Sequence, residues 1–492
     1  MENLLITTDC GTLRGIEKET CRAFLGIPYA KCERFQPPQP YHWDGILPCT
    51  AYGSKSIGTT FCRNIPVGQE IQMFGSEDCL NLNIWTPKNV AHDAKLPVVF
   101  YIHGGGYQIG SNSSVPESGE LFLKNEPDMV FVSVNYRLGI QGFLEWGEVL
   151  GEKYHGSSNN GFRDVILALK WVHRNISLFN GDPDKITLMG LSAGAKTVAV
   201  LTLCPEVRNL FHQIICESGA VQSLRPIESA QKLTKKYLKL LGTEDPEVIL
   251  NMDPYKLLEA QIRMSDTQGS TLYYGPVFDE ELFPENWKDD FENGTGWKGR
   301  ALMGSCRNEL FASFKGNYLY QAQETIDGLF GIYADYARQA YDKLAGGRDL
   351  SEDEQRKVWI KVTSDFMYRT YNDRFSTWLD NHGSKVWNYS VEFRTACHTY
   401  GFNLVVGNFL PIPMKVTLKP EDMPDAMKVH ESMKRRYVNF IINGDPNEEN
   451  RMFWPNWTEK TPTKYCFDSN DRILEDASED IITDFPEYMY KL

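Results

Sequence analysis

The sequence predicts an α/β protein, with one large and mostly parallel sheet covered by helices on both faces. Three observations predict it. Short apolar runs of buried-strand length alternate along the chain with stretches of helical spacing. One such run, Lys185-Ile186-Thr187-Leu188-Met189, leads directly into Gly190-Leu191-Ser192-Ala193-Gly194 and on into Ala195-Lys196-Thr197-Val198-Ala199-Val200-Leu201, which reads as strand, sharp turn and helix in immediate succession. No low-complexity tract, long charge run or internal repeat divides the 492 residues, so residues 1 to 492 are expected to form a single domain.

The first fifty residues alternate short apolar runs with turn residues, as in Phe35-Gln36-Pro37-Pro38-Gln39-Pro40, and read as small edge sheets and loops. Residues 77 to 87 alternate apolar with polar at strand period and stop at Pro87. Two buried strands follow. Residues 96 to 102 end at His103-Gly104-Gly105-Gly106-Tyr107, and residues 129 to 134 run into Asn135-Tyr136-Arg137-Leu138-Gly139. Residues 161 to 176 have helical spacing through Ile166, Leu169, Val172 and Ile176. Beyond the glycine-serine-glycine turn, a strand at 212 to 216 ends at Glu217-Ser218-Gly219-Ala220, residues 225 to 265 are helical, and a short strand at 300 to 304 precedes Ser305-Cys306-Arg307-Asn308-Glu309. A mostly helical, aromatic-rich block spans about 311 to 382, as a cap or pocket wall would. A last core strand at 386 to 393 leads to Arg394-Thr395-Ala396-Cys397-His398, then come a helix at 426 to 442 and a final strand with a tail.

Composition narrows the function. With 51 basic against 65 acidic residues the net charge is -14, which argues against nucleic acid or an anionic membrane as partner. No apolar run is long enough to span a bilayer, and the start lacks the basic and apolar regions of a signal peptide, so the cytoplasm is the expected location. Eleven cysteines scattered without metal-type spacing suit a reducing compartment, while Cys62 and Cys79 could form a bridge if the chain were exported.

Topology selects the chemistry. A G-x-S-x-G at a strand-to-helix junction lifts a serine hydroxyl above the sheet edge, and in an open parallel sheet the reactive groups sit at the carboxyl ends of strands. Four histidines follow Ser192 in the chain, namely His212, His382, His398 and His430. His212 and His382 precede strands and His430 sits within a helical pattern, so only His398 follows a strand. Glu309 follows a strand end in the same sense. A serine hydroxyl needs an imidazole to take its proton and return it to the leaving group, and a carboxylate to fix and stabilise that imidazole. The glycine triplet at Gly104 to Gly106 can bring backbone N–H groups close to a developing oxyanion, joined by the N–H of Ala193. This chemistry implies no metal or organic cofactor. Leu191, Ser218, Phe311 and Phe314 are the expected pocket residues, and Glu217 reads as structural.

Taken together, Gly26-Ile27-Pro28-Tyr29-Ala30, Glu77-Asp78-Cys79-Leu80-Asn81-Leu82-Asn83, the glycine-triplet loop, Asn135-Tyr136-Arg137-Leu138-Gly139, Phe179-Asn180-Gly181-Asp182-Pro183 and the serine turn resemble the type-B carboxylesterases. That is the α/β-hydrolase family that includes cholinesterases and bacterial para-nitrobenzyl esterases. The resemblance implies an α/β-hydrolase fold, hydrolysis of small-molecule carboxylic esters, Ser192, Glu309 and His398 as a catalytic triad, and Gly105, Gly106 and Ala193 as oxyanion donors. The short link at residues 31 to 35 resembles bacterial members.

Two positions depart from the family. Leu191 and Gly401 stand where members usually carry glutamates that share a buried polar network beside the histidine. Loss of both predicts a more apolar setting for His398, with Ser218 retained, and a shifted pH profile. Other readings are a non-catalytic binding module like the cholinesterase-like adhesion domains, or an amide or thioester hydrolase with the same triad. Acyl preference, alcohol preference and oligomeric state are not legible in the sequence.

Overall fold

The computed structural model describes residues 4–59, 72–91, 93–114, 116, 118–124, 128–265, 272–310, 326–327, 330–410, 418–482 and 484–490. Its centre is an eleven-stranded sheet. In chain order the strands of this sheet are β1 (Ile16–Glu17), β2 (Cys21–Pro28), β3 (Asn81–Pro87), β4 (Leu96–Ile102), β5 (Val130–Val134), β6 (Gly181–Leu191), β7 (Gln213–Glu217), β8 (Arg300–Cys306), β9 (Lys385–Val391), β10 (Lys464–Phe467) and β11 (Arg472–Leu474). In space they run β11-β10-β9-β8-β7-β6-β4-β5-β3-β2-β1. From β5 across to β10 every pairing is parallel, and the pairings at the two margins are antiparallel. The parallel set therefore delivers the carboxyl ends of β4, β6, β7, β8 and β9 to one edge. The chain reverses direction around β4, which lies between β5 and β6, and such a switch point opens a crevice at that edge.

Burial explains why these runs become strands. Val98, Val99, Phe100, Tyr101 and Ile102 are all fully buried, as expected for β-branched and aromatic residues in a sheet covered on both faces. The alternation in β3 has a different cause. Asn81 and Asn83 face the interior rather than solvent, and Asn83 accepts from the Gly26 N–H at 2.8 Å and donates to the Asn112 carbonyl at 3.0 Å. Their period-2 spacing reflects a buried polar network that ties the glycine-loop side of the sheet together.

Helix Asn160–Asn175 and helix Ala193–Leu201 lie where the periodicity puts them. The stretch from 225 to 265 is not one helix but three, Ile227–Leu241, Pro246–Asn251 and Pro254–Ser265. Gly242 ends the first in a left-handed conformation, and each of the other two begins at a proline, whose missing N–H is harmless only at a helix start. Residues 311 to 325 lie outside the described set. Beyond them the block is helical, with Ala334–Ala345, Glu352–Ser364 and Thr370–Asn381, the last two joined through a π turn at Asp365–Arg369. Helix Thr370–Asn381 packs on β8 and β9. Among the described residues no helix is long and apolar enough to cross a membrane.

Candidate active site

The turn after β6 is built by close packing. Ser192 has φ 58° and ψ -120°, a left-handed conformation that an L-residue adopts at a cost of about 1–3 kcal/mol. Its neighbours allow it. A Cβ on Gly190 would lie 2.4 Å from the Gly194 carbonyl carbon, and a Cβ on Gly194 would lie 2.0 Å from the Ile102 oxygen. Only glycine fits either place. The Ser192 N–H donates to the Glu217 carbonyl at 2.8 Å and the Ser192 carbonyl accepts from the Lys196 N–H at 2.9 Å, which fixes the residue between β7 and the following helix.

The three residues that topology selects form one hydrogen-bonded chain. His398 Nε2 lies 2.9 Å from Ser192 Oγ, and His398 Nδ1 lies 2.6 Å from Glu309 Oε2. Glu309 is buried, and its other oxygen accepts from the Cys306 N–H at 2.8 Å and from the Ser218 hydroxyl at 2.5 Å. The His398 N–H donates to the Glu309 carbonyl at 3.0 Å, so backbone and side chain both hold the pair. With Nδ1–H directed at a carboxylate, Nε2 presents its lone pair to the serine.

The glycine triplet passes directly over this serine. A Cβ on Gly104 would lie 3.1 Å from Ser192 Cβ, and Gly105 and Gly106 have φ of 119° and 63°. Gly105, Gly106 and Ala193 line the same cavity as Ser192 and His398. His103 props this loop from below. Its Nδ1–H donates to the Gly104 carbonyl at 2.8 Å, its ring stacks on Tyr136 at 4.6 Å, and burial pushes its pKa down to about 4, so it is neutral.

The cavity measures about 340 Å³ and is lined mainly by Gly104 to Gly106, Leu191, Ser192, Lys196, Tyr368, His398 and Phe402. Leu191 is in the pocket wall as expected. Ser218 is not: it is fully buried behind Glu309, where its hydroxyl serves the carboxylate. Phe311 and Phe314 lie outside the described residues. Sequence reasoning missed several residues of the wall, among them Phe402, Tyr368 and Lys196. Tyr368 comes from the π turn and stacks on the His398 ring at 4.6 Å, with its hydroxyl 3.4 Å from Nε2; π turns gather at functional sites but have no local sequence signature. Lys196 lies one helical turn beyond Ser192.

Glu217, read from the sequence as structural, extends to the space left by Gly401, where a Cβ would lie 2.7 Å from Glu217 Oε1. That oxygen accepts from the Phe402 N–H at 2.8 Å, while Oε2 lies 3.3 Å from both the Tyr389 and the Tyr437 hydroxyls, themselves 2.6 Å apart. A buried carboxyl group from β7 thus occupies this space. Burial, with Glu309 nearby, pushes its pKa up to about 8.

The ten described cysteines are free thiols, nine of them buried. Cys62 lies outside the described residues, and with it any pairing to Cys79. Among the described residues no three His, Cys, Asp or Glu side chains are grouped as metal ligands would be.

A large parallel sheet with a strained serine after one central strand, and an acid and a histidine after later ones, defines an α/β-hydrolase-fold enzyme. The model of the carboxylesterase family matches residues 2–479, and the chain belongs to that family. It is 28% identical to the para-nitrobenzyl esterase of Bacillus subtilis over 493 residues, 97% of each chain, and 28% identical to carboxylesterase 1C of Rattus norvegicus over 89% of this chain and 84% of that one. Among solved structures, the Geobacillus stearothermophilus carboxylesterase EST55 superposes with a TM-score of 0.82 at 28% identity, covering 97% of this chain and 99% of that one. A PNB esterase structure superposes at 0.83 with 27% identity, covering 98% and 100%. The protein is a carboxylic-ester hydrolase.

Proposed function

We propose that the chain hydrolyses carboxylic esters through an acyl-enzyme on Ser192, with His398 as general base and acid, Glu309 as its anchoring carboxylate, and the N–H groups of Gly105, Gly106 and Ala193 as oxyanion donors. The observation that carries this reading is the unbroken Ser192–His398–Glu309 chain at 2.9 and 2.6 Å. His398 Nε2 takes the serine proton as Oγ adds to the ester carbonyl. The oxyanion that forms points at the glycine loop, where donors fixed in advance stabilise charge without reorganisation. His398 then returns the proton to the alcohol, which leaves, and water repeats the sequence on the acyl-enzyme to release the acid. The Glu309 carboxylate stabilises the imidazolium.

The test is hydrolysis of p-nitrophenyl butyrate by the wild type and by Ser192→Ala, with intact mass after exposure to a serine-directed phosphonate. Turnover and a single phosphonyl adduct, both lost in the variant, are expected. A folded wild type with neither would favour the binding-module reading, and preference for matched amides or thioesters would move the chemistry to those acyl groups. We further read residues 1 to 492 as one domain, of bacterial origin and cytoplasmic. The short link at 31 to 35 supports the origin, and the eight buried thiols other than Cys79 support a reducing compartment.

A further inference from the structure

We propose that Lys196 makes this a carboxylate-selective esterase, whose substrates are esters carrying a carboxylate a few atoms from the scissile carbonyl. The inference rests on the esterase reading above and names the substrate class of that same site.

The observation is an ammonium out of place. Lys196 is only 6% exposed, on helix Ala193–Leu201, and it lines the cavity that holds Ser192 and His398. Buried lysines normally find a carboxylate, because an isolated buried cation is among the costliest groups a fold can hold. Among the described residues none lies within ion-pair distance of Lys196. Its aromatic neighbour is Tyr368, with Nζ 5.4 Å from the ring centroid. The charge next to it has the same sign. Arg225 is fully buried and spends its donors on carbonyls, those of Leu272 at 3.0 Å, Tyr273 at 2.5 Å, Tyr274 at 2.7 Å and Ser223 at 3.3 Å. Two buried basic residues thus repel each other, with no described acid in ion-pair contact with Lys196. Burial, reinforced by Arg225, lowers the Lys196 pKa to about 7, the expected cost when a counterion is awaited rather than built in.

Geometry sets the class of ligand. The cavity, at about 340 Å³, is at the small end for a ligand site and suits short chains. Ser192 immediately precedes helix Ala193–Leu201 and Lys196 lies in its first turn, and both line this one small cavity, so an acyl group on the serine lies close to the lysine side chain. A half-ester of a short dicarboxylic acid, acylated on Ser192, would place its free carboxylate at the Lys196 ammonium. A neutral acyl chain of the same length would leave that ammonium uncompensated. The carboxylate could equally arrive on the alcohol side, and the experiment separates the two.

The experiment compares kcat/KM, followed by acid release in a pH-stat, for three esters of closely matched size: ethyl butyrate, monoethyl succinate with the carboxylate on the acyl side, and O-butyryl glycolate with it on the alcohol side. Wild type, Lys196→Met and Lys196→Arg are assayed. The expected result is a wild-type preference of at least tenfold for one anionic ester over ethyl butyrate, lost in Lys196→Met and partly kept in Lys196→Arg; the favoured ester identifies the side. Inhibition of ethyl butyrate turnover by free succinate and by butyramide is read on the wild type and needs no variant. Tighter inhibition by succinate is expected. Wild-type enzyme that hydrolyses ethyl butyrate yet favours neither anionic ester, or a Lys196→Met variant that keeps the preference, overturns the proposal and leaves the esterase standing. Absence of both ethyl butyrate turnover and a phosphonyl adduct would instead bring down the reading beneath it.

Discussion

Glu217 fills the space that Gly401 leaves empty. A Cβ on Gly401 would come within 2.7 Å of Glu217 Oε1 and 2.9 Å of its carboxyl carbon, so the two positions compete for one volume. Gly401→Ala is therefore expected to destabilise the protein by about 1–3 kcal/mol through overpacking, although alanine in a helix is normally favoured over glycine. In a Glu217→Ala background the clash with the carboxyl is gone and the 2.9 Å approach to Val391 Cγ2 remains, so the same substitution should cost less. A double-mutant cycle by urea denaturation checks this. Strict additivity would show that the two residues do not share the space.

The hydroxyls around Glu217 also predict how stability depends on pH. Tyr389 and Tyr437 lie 2.6 Å apart, and each is 3.3 Å from Glu217 Oε2. Three O–H groups close this ring when the carboxyl is protonated, and only two when it is ionised. Burial raises its folded pKa to about 8 against an ordinary 4.5. The contribution to stability is then fully present below pH 4.5 and is lost as pH rises to about 8, because the unfolded chain sheds a proton that the native state retains. Glu217→Gln cannot titrate, and its amide mimics the neutral acid. Urea midpoints of the wild type should fall between pH 5 and 8 more steeply than those of the variant; parallel curves would exclude a raised pKa.

Glu309 receives the Cys306 N–H and the Ser218 hydroxyl on one oxygen and His398 on the other. Glu309→Gln is expected to lower kcat by about 10⁴-fold, since the amide neither stabilises the imidazolium nor selects the tautomer. Ser218→Ala removes one of three donors and leaves the triad intact. It should lower kcat by roughly tenfold, the equivalent of one hydrogen bond to a charged group. Initial rates on p-nitrophenyl butyrate decide both, and equal losses in the two variants would mean that Ser218 acts as more than a support.

The hydrogen-bonded chain of Ser192, His398 and Glu309 was legible because each member follows a strand in a parallel sheet, so chain order alone separated His398 from His212, His382 and His430. The glycine loop was legible for a related reason, since three successive glycines beside a buried strand imply a close backbone approach. What escaped depends on contacts between distant segments. Glu217 acquires its role from the register that pairs it with Leu191 and from an absent side chain at residue 401. Tyr368 reaches His398 only because one turn of its helix widens. Lys196 is visible in the sequence as an interruption of an apolar stretch, but its isolation from the described carboxylates is a property of the fold.

His103 is neutral and holds the Gly104 carbonyl, so its contribution is to loop geometry. His103→Phe keeps a ring to stack on Tyr136 and removes the donor. The expected result is a loss of kcat of at least tenfold with little change in KM, as for a contact made in the transition state. Because His103 ionises only near pH 4, the pH–rate profile between 5 and 8 should keep its shape. A displaced acid limb would show that His103 titrates in the working range.

Leu191 and Glu217 are direct partners in the register of β6 and β7, so their side chains leave the sheet on the same face. Leu191 packs there in an apolar cluster with Phe402, Tyr389 and Tyr437. Leu191→Glu would place a second carboxylate beside one that is already buried. Two acids in one apolar site cannot both ionise, and the loss of leucine packing adds to the cost. We expect Leu191→Glu to lower the urea midpoint, to reduce kcat/KM, and to do both less severely when combined with Glu217→Gln, which removes the competing carboxyl. A single variant as stable and active as the wild type would show that the site accommodates both acids. It would also mean that the Glu217 carboxyl places no constraint on residue 191.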